Sequence, residues 1–395
     1  MIKKLSGKKI VMMTVSDFTH DSRILKEGLS AQKAGLKVTI LAHKSFETKS
    51  CETIQGLRVI RVETIFDRFL KMFNKGQLAD RKRASLPGPA LFGRISMYAS
   101  LIDIFLVNRL FVKETERIKP VIIHANDAPT LLAAYRLKKK GYKVVLDVHE
   151  FFSEILPKPF YFWKKFYVYL EKRISRLDGI FSVCQGILNE FNRRYGIKAV
   201  PQAVLYNTPP YKKSPFRVPG KNLKLIYVGR NLLSRDLSKI YGALKKLPGV
   251  TLTNIGPGWD KGKNKTAQIT NLSALPFDKL IPELNKYDIG IIPYIPDCLN
   301  NSYSTPNKFF EYMMAGLAVA SSDLVEIRRI IGEADNGVLF NPTNSKDIAE
   351  KIKTLMTNRE KLSNFKKNSL KIAKKYCWEN QGKKLLAMYR KILNQ

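Results

Sequence analysis

The stretch SYSTPNKFFEYMMAGLAVASSD, residues 302–323, reads as an apolar helix carrying one carboxylate, Glu311, among Phe309, Phe310, Met313, Met314 and Ala315. Ser304 and Thr305 lead into it; Thr305 is the expected N-cap, Pro306 suits the first helical position, and Asn307 and Lys308 fill the first turn. A helix start with free N–H groups, a lysine and a hydroxyl suits an anion, above all a diphosphate. Glu311 follows Asn307 by about 6 Å along the same face, from the helical rise per residue. That is close to the offset between a nucleotide's phosphate and its ribose, and a carboxylate accepts both hydrogen bonds of a vicinal diol. The competing reading is a surface ion pair of Glu311 with Lys308 at i,i+3.

Two further groups could do chemistry. In LIYVGRNLLSRDL, a strand runs into Gly229, then Arg230, a short loop and Arg235. The glycine permits a tight turn, and the two guanidiniums could neutralise a diphosphate and stabilise it as a leaving group. In so basic a chain they could equally be solvated surface charges. In IIHANDAPT and KVVLDVHEF, His124 and Asp127 end one strand while Asp147, His149 and Glu150 end the next. There a neutral imidazole could hydrogen-bond sugar hydroxyls, or each histidine could be structural. The spacing offers no third cluster of metal ligands.

Short β-branched runs alternate with helix-length patterns from end to end, which predicts βαβ units and buried parallel sheets. KIVMMTV, KVTILA, LRVIRV, PVIIHA, KVVLDV and GIFSV are the expected strands of the first half, with helical patterns over 21–34 and 129–140. NTPPYKKSPFRVPGKN, residues 207–222, has no periodicity and reads as a linker. LKLIYVG, VTLTNIG, DIGIIPY, LAVASS and GVLF then restart the alternation. The chain of 395 residues exceeds what one core usually supports, so two doubly wound domains are expected, with ligands in the crevice at their strand ends.

The 69 Lys+Arg against 33 Asp+Glu, a net charge of +36, favour an anionic partner or else a generally lysine-rich surface. Cys51, Cys184, Cys298 and Cys377 are widely spaced, as free thiols of a reducing compartment are. The N-terminal apolar run IVMMTV is too short for a signal peptide, and LIDIFLVNRLFV is interrupted by Asp103, Asn108 and Arg109. A cytoplasmic protein is expected, with any membrane contact peripheral, at the inner face of the plasma membrane. KPFYFWKKFYVYLEKRISR, residues 158–176, interleaves aromatic and basic residues, and a second basic stretch spans 68–94. This composition suits an anionic membrane interface; a core-facing aromatic stripe and single-stranded nucleic acid are the alternatives, the last without any supporting RNA-binding motif.

These pieces resemble glycosyltransferase family 4, the retaining enzymes of GT-B architecture that use nucleotide-sugar donors. SYSTPNKFFEYMMAGLAVASSD, YVGRNLLSRDL, HANDAPTLLAA, LDVHEFFSE, WENQGKKLLAMYRKIL and SDFTHDSRILKEGLSAQKAGLKVTIL carry the likeness in the right order. It implies an α/β fold of two Rossmann-like doubly wound domains facing across a cleft. The expected division is 1–206 for the acceptor, 207–222 as linker, 223–377 for the nucleotide sugar, and 378–395 as a helix crossing back. It further implies Arg230 and Arg235 on the diphosphate, the latter where the family usually has Lys, and Glu311 on the ribose. His149 would touch the donor sugar, and the base would lie against Leu275 and Pro276. Gly229, Ser304, Thr305, Asn307 and Lys308 are the remaining donor contacts, with His124 and Asp127 on the sugar or acceptor side.

The family pattern is broken at Tyr303, where many members have the first acid of Glu-x7-Glu, and in VSDFTHDSRI, which lacks a glycine pair. Ala318 stands for a frequent Pro. The implied reaction is departure of the diphosphate of a UDP- or GDP-sugar and attack of an acceptor hydroxyl from the same face. No DxD motif is present, so leaving-group stabilisation by fixed positive charge, without metal or cofactor, is expected. The acceptor expected is a lipid-linked glycan or polysaccharide precursor. A nucleotide-sugar 2-epimerase of the same architecture and a non-catalytic basic binding protein are the alternatives.

Overall fold

The computed structural model describes residues 5–45, 48–65, 89–155, 161–230, 237–259 and 267–394, with side chains left aside at 89–100 and 161. Arg235, most of the basic stretch at 68–94, and residues 158–160 of the aromatic stretch lie outside these residues. The chain forms two compact units: Met1–Ser182 with Glu190–Val204 and Gly382–Gln395, and Val183–Asn189 with Leu205–Gln381.

The first unit is built on β1 (Lys9–Met13), β2 (Lys37–His43), β3 (Cys51–Ile54), β4 (Leu57–Val62), β5 (Ile122–Asn126), β6 (Val144–Val148), β7 (Gly179–Ser182) and β8 (Gln202–Val204). Their order is β3-β4-β2-β1-β5-β6-β7-β8, and every pairing is parallel except β3 with β4. Helices Ser22–Lys33, Pro89–Ile118 and Leu131–Lys139 make the crossovers. The central strands are apolar without alternation because helices cover both faces; β5 and β6 are buried at every residue.

The second unit carries β9 (Leu223–Val228), β10 (Val250–Ile255), β11 (Ile269–Leu272), β12 (Ile289–Ile292), β13 (Ala318–Ser322) and β14 (Gly337–Phe340). They are ordered β11-β10-β9-β12-β13-β14, all parallel. Order reverses at β1/β5 in one sheet and at β9/β12 in the other, the places where doubly wound sheets open a ligand site at their carboxyl ends.

Strands β3, β8 and β11 are sheet edges, only partly buried, and have no apolar run in the sequence. β3 joins β4 through Gln55 and Gly56, both at positive φ as a two-residue hairpin requires. In the helix Tyr161–Glu171, Trp163, Tyr167 and Leu170 face the core, whereas Phe162 and Tyr169 are exposed. The aromatic stretch is therefore partly core stripe and partly open surface. No helix among the described residues is long and apolar enough to cross a membrane.

Candidate functional site

In the second unit, β9 and β12 pair only at Leu225–Ile289 and Ile226–Gly290. Beyond that the strands diverge, and Tyr312 of the helix Asn307–Ala315 fills the gap. Its hydroxyl accepts the Val228 N–H at 3.0 Å and lies 3.4 and 3.3 Å from the carbonyls of Ile226 and Ile291. A Cβ on Gly290 would come within 2.2 Å of the Tyr312 ring, so glycine is what lets the ring lie on β12. One phenol thus satisfies backbone groups that the switch point leaves unpaired and fixes the helix against the end of β9.

That placement brings Lys308 to Gly229. A Cβ at Gly229 would lie 2.8 Å from the Tyr227 hydroxyl and 3.0 Å from Lys308 Nζ. The Gly229 carbonyl accepts from Trp259 Nε1 at 2.7 Å, which fixes the turn leading to exposed Arg230. Lys308 is buried, its ammonium 4.1 Å from the centroid of Tyr227 and 5.3 Å from that of Tyr294. Asn307 is exposed at the helix start, and Glu311 is half-exposed one turn on.

The expected cap is corrected. Pro306, not Thr305, precedes the first helical residue, and no side chain caps it; the Thr305 hydroxyl instead lies 3.5 Å from the Tyr303 carbonyl. Proline at the N-cap position offers the opening N–H groups no capping side chain. Ser304 is half-buried beside them. Leu275 and Pro276 precede the helix Phe277–Leu284 on the loop after β11, half-buried and exposed respectively. Tyr303 packs against Gly186, where any Cβ would come within 2.3 Å of its ring.

In the first unit, Asp127 and His149 stand at the carboxyl ends of β5 and β6. His149 Nδ1 is 3.2 Å from Asp127 Oδ2, and its Nε2 is 3.0 Å from Asp147 Oδ2. Burial alone would lower the pKa of this imidazole, but the charges of Asp127 and Asp147 outweigh it and raise it well above the ordinary value. Those charges favour the imidazolium over the neutral imidazole expected. His124 is corrected as well: it is fully buried, stacked on Phe181, with Nδ1 2.6 Å from the Tyr389 hydroxyl. It supports β6 from behind and is out of reach of a sugar.

Comparisons with known proteins bear on what these residues belong to. The family model described as Glycosyltransferase Family 4 matches residues 25–208, and that described as Glycosyl transferases group 1 matches 223–358. Solved structures agree in fold: sucrose-phosphate synthase from Thermosynechococcus elongatus has a TM-score of 0.71 at 14% identity, over 98% of this chain and 99% of that one. The chain belongs to the GT-B glycosyltransferases.

Within this GT-B family the likeness is broad but distant. Anabaena HepE in complex with UDP-glucose has a TM-score of 0.67 at 15% identity, over 97% of this chain and 100% of that one. The Escherichia coli trehalose-6-phosphate structure bound with UDP-2-fluoro glucose has a TM-score of 0.69 at 13% identity, over 98% and 99%. In sequence, the sulfoquinovosyl transferase SQD2 of Arabidopsis thaliana is 24% identical over 293 residues, 68% of this chain and 56% of that relative. The chain thus matches little more than half the length of that protein.

The GT-B framework also holds residues that the sequence reading passed over: Arg23, Glu27 and Tyr389. Arg23 binds Asp147 through two bonds, Nε at 2.8 Å and Nη2 at 2.7 Å, both partners buried. The available signal was the i,i+4 spacing of Arg23 and Glu27 on the buried face of an amphipathic helix.

Proposed function

We propose that this GT-B chain moves a sugar from a nucleoside-diphosphate donor to a hydroxyl acceptor, with retention at the anomeric carbon. One observation carries the reading: Tyr312 seats the helix start of residue 307 and the Lys308 ammonium beside the glycine turn that leads to Arg230. The N–H groups of a helix start, an ammonium and a guanidinium are the donors a diphosphate needs as substrate and as leaving group. Glu311 follows at the distance of a ribose. UDP in two of the similar structures makes a UDP-sugar the first donor to try. Arg235 completes the basic pair by the family resemblance, while Asp127 and His149 serve the sugar or acceptor side. No cofactor or metal is required by this scheme.

The acceptor we favour is a lipid-linked glycan. Exposed Phe162 and Tyr169 beside Lys165, with Arg173 stacked 3.6 Å over Tyr169, support a peripheral contact with anionic membrane. Sedimentation with anionic liposomes at low salt tests that contact, and a chain left in the supernatant removes it.

A thermal-shift screen of UDP- and GDP-sugars tests the donor assignment, because a specific ligand raises the melting temperature by mass action. Glu311→Ala and Arg230→Ala should each weaken the active donor by about tenfold or more, the range expected for one lost charge-assisted hydrogen bond. Wild-type affinity in both variants would reject the site.

A further inference from the structure

The ends of β5 and β6 form a set of interlocked charges whose arrangement fixes the state of one histidine. Both His149 ring nitrogens face carboxylates, at 3.2 Å for Asp127 and 3.0 Å for Asp147. A neutral imidazole has one N–H and one lone pair, so it satisfies only one carboxylate and turns a lone pair toward the other. The imidazolium donates to both.

Asp127 is held in place against its own backbone preference. Its φ of 64° and ψ of 164° fall in a region that is almost reserved for glycine. The compensation is local: Asp127 Oδ1 accepts the N–H of His149 at 2.7 Å and of Glu150 at 3.2 Å, so the strained residue is tied to the loop that carries the histidine. Such strain persists where the surroundings over-determine it, and here it aims one carboxylate at one ring.

Asp147 is fixed from the opposite side by the Arg23 fork. The Tyr389 hydroxyl, whose pKa burial pushes well up, stays protonated and shares a hydrogen bond with His124 Nδ1. His124 Nε2 points at Glu27 Oε2 (3.6 Å) and Asp147 Oδ2 (3.8 Å). Burial lowers the His124 pKa and so favours its neutral form; burial and the nearby Asp147 charge drive the Glu27 pKa well up and favour its protonated form. Burial opposes the charge on Asp147, but Arg23 and His149 win and keep it ionised. The groups facing this centre are Arg23 and Glu27 from the first helix, His124 and Asp127 around β5, Asp147 and His149 around β6, and Tyr389 from the last helix. With Glu27 and His124 neutral, two cations meet two anions and the charges cancel.

Glu27, His124 and Asp147 also offer ligand atoms within 4.8 Å of one another, as a cation would need. The Arg23 guanidinium lies against two of these groups, with Asp147 and Glu27 oxygens 2.8 and 3.1 Å from its Nε, and so puts a positive charge beside them.

We propose that Asp127 and Asp147 are positioning residues that keep His149 an imidazolium, so that the loop after β6 presents a fixed positive charge instead of a proton carrier. The value of that charge to a bound sugar or phosphate rests on the transferase reading above; the charge state itself does not. The test is an NMR titration of the full chain with labelled histidines and no donor present. It must separate four imidazoles, and His149→Gln assigns the relevant signal.

His149 should stay protonated past neutrality, its midpoint above the ordinary value near 6.5. Asp127→Asn should lower that midpoint by about one unit or more. Asparagine is isosteric and keeps the two N–H acceptances on the backbone that aspartate already adopts, so this variant should fold even if Asp147→Asn, which removes the two-bond partner of Arg23, does not. Glu27→Gln, the neutral isostere, should leave the midpoint unchanged. In a transfer assay Asp127→Asn should lose rate as pH rises through its new midpoint. A wild-type midpoint at or below 6.5, no shift in Asp127→Asn, or a stoichiometric divalent ion in the purified chain overturns the proposal. Correct midpoints without any donor binding would sink the transferase reading and leave this one standing.

Discussion

The Lys308 ammonium stands 4.1 Å from the centroid of the Tyr227 ring, inside the core of the second unit and beside Gly229. A buried cation is costly, and the face of an aromatic ring offsets only part of its lost hydration. Lys308→Met retains the packed stem and removes the charge, an exchange that buried ionic groups often tolerate without loss of stability. The variant should melt within a few degrees of the wild type yet bind a nucleoside diphosphate about ten- to a hundredfold more weakly, the range of one charged hydrogen bond. Isothermal titration with UDP, run beside a thermal melt, separates the two effects.

Gly229→Ala probes the same turn from its backbone. The new methyl would meet the Tyr227 hydroxyl at 2.8 Å and Lys308 Nζ at 3.0 Å, on a backbone whose φ of 155° side chains rarely adopt. We expect a stability loss of about 1–3 kcal/mol, the usual range for overpacking, with donor binding reduced at the same time. A variant as stable and as active as wild type in denaturant melts and transfer assays would contradict this geometry.

Phe310, on the buried side of the helix that carries Lys308 and Glu311, packs among Tyr206, Tyr376 and Phe309 with ring centroids 5.4, 5.8 and 5.4 Å away. Phe310→Ala should cost about 3–5 kcal/mol, as such truncations do in close-packed cores. Phe310→Leu should cost less and preserve nucleotide binding. Urea unfolding measures both; equal, small losses would mean that the ring is not clamped as described.

Stability should fall on the alkaline side because of His149. Its folded-state pKa is raised, so the imidazolium pairs contribute fully below the unfolded value near 6.5 and are lost as pH rises through the folded one. Glu27, also raised, acts in the same direction, since the unfolded chain ionises it first. Asp147 is depressed and acts oppositely: its contribution is present above about pH 4 and disappears as pH falls through its folded pKa. Urea melts from pH 6.5 to 9.5 should show a smaller alkaline decline in Asp127→Asn than in wild type. Parallel declines would remove His149 as the cause.

The order of strands and helices was legible because fully covered parallel strands leave continuous apolar runs such as IVMM and VVLDV. The edges β3, β8 and β11 were not, for an edge strand is half-exposed and loses that run. Glu311 and Lys308 stood out because a charge in an apolar helix is conspicuous at any level of description. By itself, then, the sequence determined the α/β class and the polar residues at strand ends, since local periodicity and turn chemistry report burial directly. Tertiary structure decided that Tyr312 seats the helix at the β9/β12 gap, that His124 is buried, and that His149 faces two carboxylates. Those outcomes depend on partners up to 265 residues apart, as with His124 and Tyr389, and a charge state is set by the few atoms that face a ring and not by its neighbours along the chain.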